Sequence, residues 1–459
     1  MRPYVARGGP QALRPLLLLT VLFVWTLAAG WTAIICAQWL TLYAHETGPR
    51  LPDGSPYGRD FLQFVYVADA WQTGTLDRLY DRKTQIAALR RLGQPADDYP
   101  LILRYNYPPF FAWLPRVLGG LTYRAAYVAW LGLQLGFLLL AVAAWRRELA
   151  DRQALFWLLV ALVVVSPFVP FNLMIGQTGF IGLAALSWAC RFLRTGRDLA
   201  AGLCIATLLY KPPLGIVIGP LLLLKRRWRV VGGVAVGATG LLLLSLLVSA
   251  RALVDYPAAV RAFSQEMATE QYGLYNLQYD LLSFVTVSMD DRLPRCLGQI
   301  VRLIPAPHGA SGVENGVFHS SCSFASLSLF AALAVITVVA LLLAWRDPSR
   351  TARPRKNGVT DARLATLVLG TLLLSPYLFF YDTVLLAVAG VYTLRSLPAR
   401  PAAHAWLVLA FTAVAFVWIG GLTQAPNLLP VRLQLATLAF LSWLWLEAVV
   451  AAKDARMTT

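Results

Sequence analysis

Residues 199–224 read LAAGLCIATLLYKPPLGIVIGPLLLL, an apolar run interrupted at Tyr210-Lys211-Pro212-Pro213. Arg191, Arg194 and Arg197 precede it, and Lys225-Arg226-Arg227-Trp228-Arg229 follow it. Short loops rich in Lys and Arg stay on the cytoplasmic side of a membrane. A single crossing would carry one of these flanks to the wrong side, so the segment is expected to go out and return. The prolines remove backbone donors and end the first half-helix. Broken helices at membrane depth are tolerated only where they border a protein-walled cavity. The same situation recurs at 364–394, between Arg363 and Arg395, with its break at Ser375-Pro376-Tyr377-Leu378-Phe379-Phe380-Tyr381-Asp382.

The rest of the chain agrees with a membrane setting. Its 459 residues are 58% hydrophobic and 14% charged, with a mean hydropathy of +0.60. These values exclude an ordinary soluble globular protein. Apolar stretches at Pro15–Leu42, Ala126–Trp145, Ala154–Val165, Gly179–Cys190, Val230–Ser249, Phe324–Trp345, Trp406–Gly421 and Leu433–Ala451 mostly suit about 30 Å of hydrocarbon. The alternation of transmembrane β-strands is missing, and the first apolar run is too long for a signal peptide. The expected fold is an all-α polytopic membrane protein, one domain over 1–459, with about twelve membrane helices and both termini cytoplasmic. If either broken pair is a single kinked span, the count falls to ten or eleven.

The net charge of +17 is a topology signal. The N-terminus, the segments 146–153, 191–198, 225–229, 346–363 and 395–403, and the tail carry an excess of basic residues equal to that whole charge, and the remainder balances. No nucleic-acid partner is implied. Two long segments face outward in this reading, 43–124 and 250–323, the first with a short interfacial helix from Phe110 to Gly120. Such loops would roof a reaction and exclude bulk water. Cys296 and Cys322 share the second loop, where a disulfide is an open question, while Cys36, Cys190 and Cys204 read as small buried hydrophobes.

Polar residues placed in such a chain are candidates for function. Asp60, in Gly58-Arg59-Asp60-Phe61-Leu62-Gln63-Phe64, follows the first helix on the outward side, where a general base would stand. As a plain alternative, it caps the helix that begins there. Lys211, between two apolar half-helices, needs a counter-charge that a phosphate would supply, unless it snorkels to the interface. Asn172 and Gln177 mark the turn after the third helix, as sugar-binding amides or as turn chemistry. Asp382, with Tyr377 and Tyr381, follows the same logic as Asp60. Tyr105 and Tyr107, in Tyr105-Asn106-Tyr107-Pro108-Pro109, flank the second helix. Arg104, His319 and Arg432 are further phosphate or sugar contacts. The pairs Asp97-Asp98 and Asp290-Asp291 lack the alternate spacing of a nucleotide-sugar site, and there is no phosphate-cradling loop. No cysteine–histidine cluster suits a metal. Neither a cofactor, a metal nor a nucleotide donor is expected.

The order of these motifs resembles glycosyltransferase family 87: Asp60 after helix one, Tyr107-Pro108-Pro109 before helix two, and Gly176-Gln177 after helix three. Lys211-Pro212 with its basic run and Ser375-Pro376-Tyr377 complete it. The likeness covers most of residues 15–400. It implies a GT-C-type fold, related to the α-mannosyltransferases of mycobacterial phosphatidylinositol mannoside synthesis. It also implies a polyprenyl-phosphate-linked sugar donor, a lipid or glycan acceptor, and an active site on the periplasmic side of a bacterial plasma membrane, with membrane lipids around it. The aspartate expected after the first helix is matched by Asp60. One departure concerns the sugar. Where those mannosyltransferases have histidines after the Ser-Pro motif, this chain has Tyr381-Asp382. The rival classes are a lipid-linked sugar flippase or other secondary transporter, whose helices are also broken, and a non-catalytic membrane scaffold.

Overall fold

The computed structural model describes residues 13–44, 58–91, 104–269, 278–288, 324–346, 359–376, 378–396 and 435–457. Among these the chain is helical, with one isolated β-bridge between Gln278 and Phe379. The helices are α1 (Leu13–Ala44), α2 (Leu62–Thr73), α3 (Arg82–Arg91), α4 (Tyr123–Glu148), α5 (Gln153–Val164), α6 (Phe168–Met174), α7 (Gly179–Thr195) and α8 (Asp198–Thr207). They continue with α9 (Gly215–Leu224), α10 (Trp228–Val248), α11 (Ala250–Thr269), α12 (Leu281–Ser288), α13 (Phe324–Ala344), α14 (Asp361–Leu374), α15 (Leu386–Ser396) and α16 (Leu435–Met457).

Four helices among the described residues are long and apolar enough to cross a membrane: α4, α10, α13 and α16. A fifth span appears if α5 and α6, bent by 48° across Val165-Ser166-Pro167, count as one. The described residues thus account for four or five of the roughly twelve spans expected, and the stretch Trp406–Gly421 lies outside them. Residues 199–224 form two shorter apolar helices that meet at Lys211.

Glycines reveal the course of that broken segment. Gly202 of α8 lies against Val230 and Gly233 of α10, and Gly237 lies against Ala206. Contacts that advance together along both helices mean that α8 and α10 run parallel, with their first turns level. The chain from Asp198 to Trp228 therefore leaves one end of the bundle and comes back to it. Small residues here let two backbones approach closely, the usual device for packing apolar helices.

The second broken segment closes in the same way. Arg395, in the last turn of α15, pairs with Asp361, in the first turn of α14, at 3.3 Å. Around them lies a charged cluster. The buried Glu148 at the end of α4 takes Arg191 at 2.7 Å and Arg194 at 2.5 Å, and Arg395 also donates to its backbone carbonyl. Arg363 donates to the carbonyl of Ala344, 3.0 Å away, at the end of α13. A buried carboxylate is tolerable only with such partners. The charges thus gather at one end, where α4, α7, α14 and α15 begin or finish.

The opposite end is aromatic. Phe61, Phe64, Tyr107, Phe111, Tyr127, Trp130 and Tyr210 pack together there, with Phe64 stacked on Trp130 at a centroid separation of 4.3 Å. Between Pro109 and Leu118 the chain makes two short 3-10 turns, Pro109–Trp113 and Pro115–Leu118, rather than the continuous interfacial helix expected over 110–120. A proline at the first position of each turn fixes φ and withholds an N–H, so each turn restarts at one. α4 joins the two ends. Its 26 residues, rising about 1.5 Å each, separate them by about 39 Å.

Candidate active site

Two tight turns and one helix break assemble the polar residues of the aromatic end. Gly58 opens the turn Arg59–Phe61 in the left-handed conformation, φ 69°. A side chain there would run into the ring of Tyr127, 2.5 Å from where its Cβ would stand. The Phe61 N–H donates to the carbonyl of Ile175 at 3.0 Å, which ties this turn to the one between α6 and α7. Gly176 sits in that second turn with φ 71°, and a Cβ on it would stand 2.5 Å from the Cβ of Phe61. Trp130 holds the Gly176 carbonyl with its indole N–H at 2.8 Å.

These turns set Gln177 opposite Asp60. Gln177 Nε2 donates to Asp60 Oδ2, and Gln177 Oε1 accepts from the Tyr107 hydroxyl at 3.3 Å. Tyr107 also shares a bond with Thr178 Oγ1 at 3.0 Å. Tyr210 donates to the Thr178 carbonyl at 3.2 Å, its ring nearly parallel to that of Tyr107. Gly58 is the N-cap of the turn Arg59–Phe61 and Phe61 that of α2, so Asp60 occupies neither cap position. Burial pushes its carboxyl from an ordinary 3.8 up to about 6, against the opposing pull of the Gln177 bond and the charges of Lys211 and Arg59.

Lys211 stands at the break between α8 and α9, between Tyr210 and two prolines. Its ammonium lies 2.6 Å from Asp382 Oδ1 and 4.9 Å from the centre of the Tyr381 ring. Asp382 is buried, and its N–H donates to Phe379 O at 2.9 Å. The structure therefore brings together Asp60, Gln177, Tyr107, Lys211, Tyr381 and Asp382. It adds Thr178 and Tyr210, whose polar contacts only the packed turns reveal.

Other expected site residues make different contacts or lie outside the described residues. Asn172 is fully buried, donates to Phe168 O at 2.9 Å and Tyr381 O at 2.8 Å, and accepts from Gly179 N at 3.0 Å. With both amide protons engaged, it braces Tyr381. Tyr105 is buried against Tyr80, inside the aromatic packing. Arg104 pairs with Glu266 of α11 at 2.8 Å, as Lys211 does with Asp382. His319, Arg432, Tyr377, Cys296 and Cys322 lie outside the described residues.

The profile of glycosyltransferase family 87 matches residues 105–376, more than half of the chain. The chain belongs to glycosyltransferase family 87. It is accordingly a membrane glycosyltransferase, working on a sugar donor and an acceptor. Family membership decides against a flippase, another transporter or a scaffold. No curated protein and no solved structure matches the chain. The matched region of this glycosyltransferase holds Tyr107, Asn172, Gln177 and Lys211, whereas Asp60 and Asp382 lie beyond its limits. Those two join it through contacts with Gln177 and Lys211.

Proposed function

We propose that this glycosyltransferase moves a sugar from a polyprenyl-phosphate-linked donor to a lipid or glycan acceptor, in one inverting displacement on the extracytoplasmic face. The observation that carries the proposal is the meeting of Asp60 and Gln177 with Lys211 and Asp382 at the end of the bundle remote from the charged cluster. Basic residues favour the cytoplasm, which assigns Glu148 and its arginines to that side. The loops 43–124 and 250–323 then face the periplasm of a bacterial plasma membrane. The parallel course of α8 and α10, and the Arg395–Asp361 contact, favour two out-and-back pairs in a bundle of about twelve helices of GT-C type.

In the reaction, an acceptor hydroxyl oxygen forms a bond to the anomeric carbon as the bond from that carbon to the phosphate oxygen breaks. The hydroxyl proton passes to Asp60, and the polyprenyl phosphate leaves with the electron pair. A carboxylate with a pKa near 6 is a base well matched to neutral pH. Gln177 aims it by fixing one oxygen and leaving the other for the acceptor. Lys211 stabilises charge on the departing phosphate, a role that is strongest where water is excluded. Tyr107 and Tyr381 border the sugar. A retaining route needs a second carboxylate free to attack about 5 Å from the first. Asp382, ion-paired with Lys211, is poorly suited to that. Inversion at a β-linked donor yields an α-glycoside.

The test is transfer by the purified protein from polyprenyl-phosphate mannose and polyprenyl-phosphate glucose, each as sole donor, against nucleotide sugars. Turnover with a polyprenyl-phosphate donor, abolished in Asp60→Asn, is expected. Turnover with a nucleotide sugar alone would sink the proposal.

A further inference from the structure

Asp280 lies just ahead of α12, in the second long loop, and is 1% exposed. One carboxylate oxygen accepts from Ser283 N at 2.9 Å, capping α12. The other accepts from Leu378 N at 3.0 Å, across 98 residues of sequence. Tyr279 N donates to Leu378 O at 2.9 Å, and Gln278 forms the isolated antiparallel bridge with Phe379. Three consecutive residues of the loop therefore clamp Leu378 and Phe379. The Phe379 carbonyl in turn accepts from the N–H of Asp382, and Asp382 holds Lys211.

We propose that Asp280 is a positioning residue: it holds the segment Leu378–Asp382 in place and thereby sets where the Lys211 ammonium stands in the donor site. The reason for an aspartate is chemical. Two backbone N–H groups, from separate parts of the chain, need two acceptor atoms on one short side chain. An asparagine offers a single oxygen, and its amide would meet the second N–H donor to donor. Losing the Leu378 bond loosens a segment whose other restraints include the Tyr279 pair, the Gln278 bridge to Phe379, the Asn172 bond to Tyr381 O and the Lys211–Asp382 pair. The consequence for the donor rests on the reading of Lys211 given above; the clamp itself does not.

Hydrogen–deuterium exchange on the full-length protein in detergent tests the clamp without any need for activity. In the unaltered protein the Leu378 amide belongs to the slowly exchanging class, and fast exchange there overturns the proposal before any substitution is made. In Asp280→Asn, peptides covering 378–386 exchange at least about tenfold faster, the scale of one lost buried hydrogen bond, while peptides over 62–73 and 179–195 keep their rates. Unchanged exchange at 378–386, or equal acceleration everywhere, overturns it. Binding of farnesyl phosphate, a short polyprenyl phosphate, supplies the second reading. Asp280→Asn weakens it about tenfold, as expected for a displaced charge-assisted contact, and adds no further loss in an Asp382→Asn background. Full additivity of the two substitutions overturns the coupling. If the unaltered protein binds no farnesyl phosphate, the donor assignment fails, and the exchange data alone decide the clamp.

Discussion

The ammonium of Lys211 lies 2.6 Å from the carboxylate of Asp382, although 171 residues separate them. Both side chains are mostly buried, and each justifies the other's charge. Removing one member leaves an uncompensated buried charge, while removing both is far milder. Lys211→Met should therefore cost about 3 kcal/mol of stability, and Lys211→Met with Asp382→Leu should recover most of it. Thermal unfolding in detergent checks this. Turnover should stay low in the double variant, because the phosphate still lacks its cation. Recovery of full activity there would reduce the pair to a structural contact.

Asp60→Asn should lower turnover at least about a hundredfold, the usual scale for a general base, while the protein melts no lower than before. The second half of that expectation follows from the raised pKa. A carboxyl whose pKa is about 6 when folded and 3.8 otherwise binds its proton more tightly in the folded state. Its contribution to stability is complete below about pH 4 and is lost as pH rises through about 6. Asp60→Asn should flatten that part of the stability profile, and an unaltered slope between pH 4 and 6 would count against the assignment.

Activity should run opposite to that stability term. Only the ionised carboxylate accepts a proton, so kcat/KM should rise with pH through an apparent pKa of about 6. Lys211 is one of the charges holding that value down. The residual activity of Lys211→Met should consequently show its acid limb moved to higher pH, as should Arg59→Gln, by a smaller amount. Limbs that stay in place in both variants would separate Asp60 from the kinetic ionisation.

Gly176→Ala should be severe for its size. A left-handed backbone and contact with Phe61 both oppose a Cβ, and strain of this kind costs about 1–3 kcal/mol. Because the turn carries Gln177, relief of the clash moves the amide off Asp60. Turnover should fall more than donor affinity. Gly132→Ala, on α4 with open space around it, is the control and should be neutral in both measurements.

The topology has its own test. Single cysteines at Gly196, Gly358 and Ala399 should react only with reagents supplied from the cytoplasm. Those at Pro213 and Phe379 should react only from outside or be shielded in the cavity. Labelling of Gly358→Cys from outside would place the second half of the chain on the wrong face and remove Asp382 from the site.

The sequence by itself determined the membrane class, the expectation of two out-and-back segments and the residues most in need of a partner. Each rests on properties that are local and additive: apolar length, the side on which arginines stay, and the cost of a charge such as Lys211 inside an apolar run. Asp60 and Lys211 could be singled out before any partner was known. Only the tertiary structure decided the partners. Gln177 reaches Asp60 across 117 residues because the Gly58 and Gly176 turns nest together, and no spacing along the chain encodes that. The bonds that hold the Asn172 amide and the pairing of Arg104, expected at a donor phosphate, with Glu266 are likewise matters of packing. The role of Asp280 was invisible for the same reason. Hydrogen-bond capacity is read from residue type, but which groups exhaust it depends on the register in which helices and turns pack.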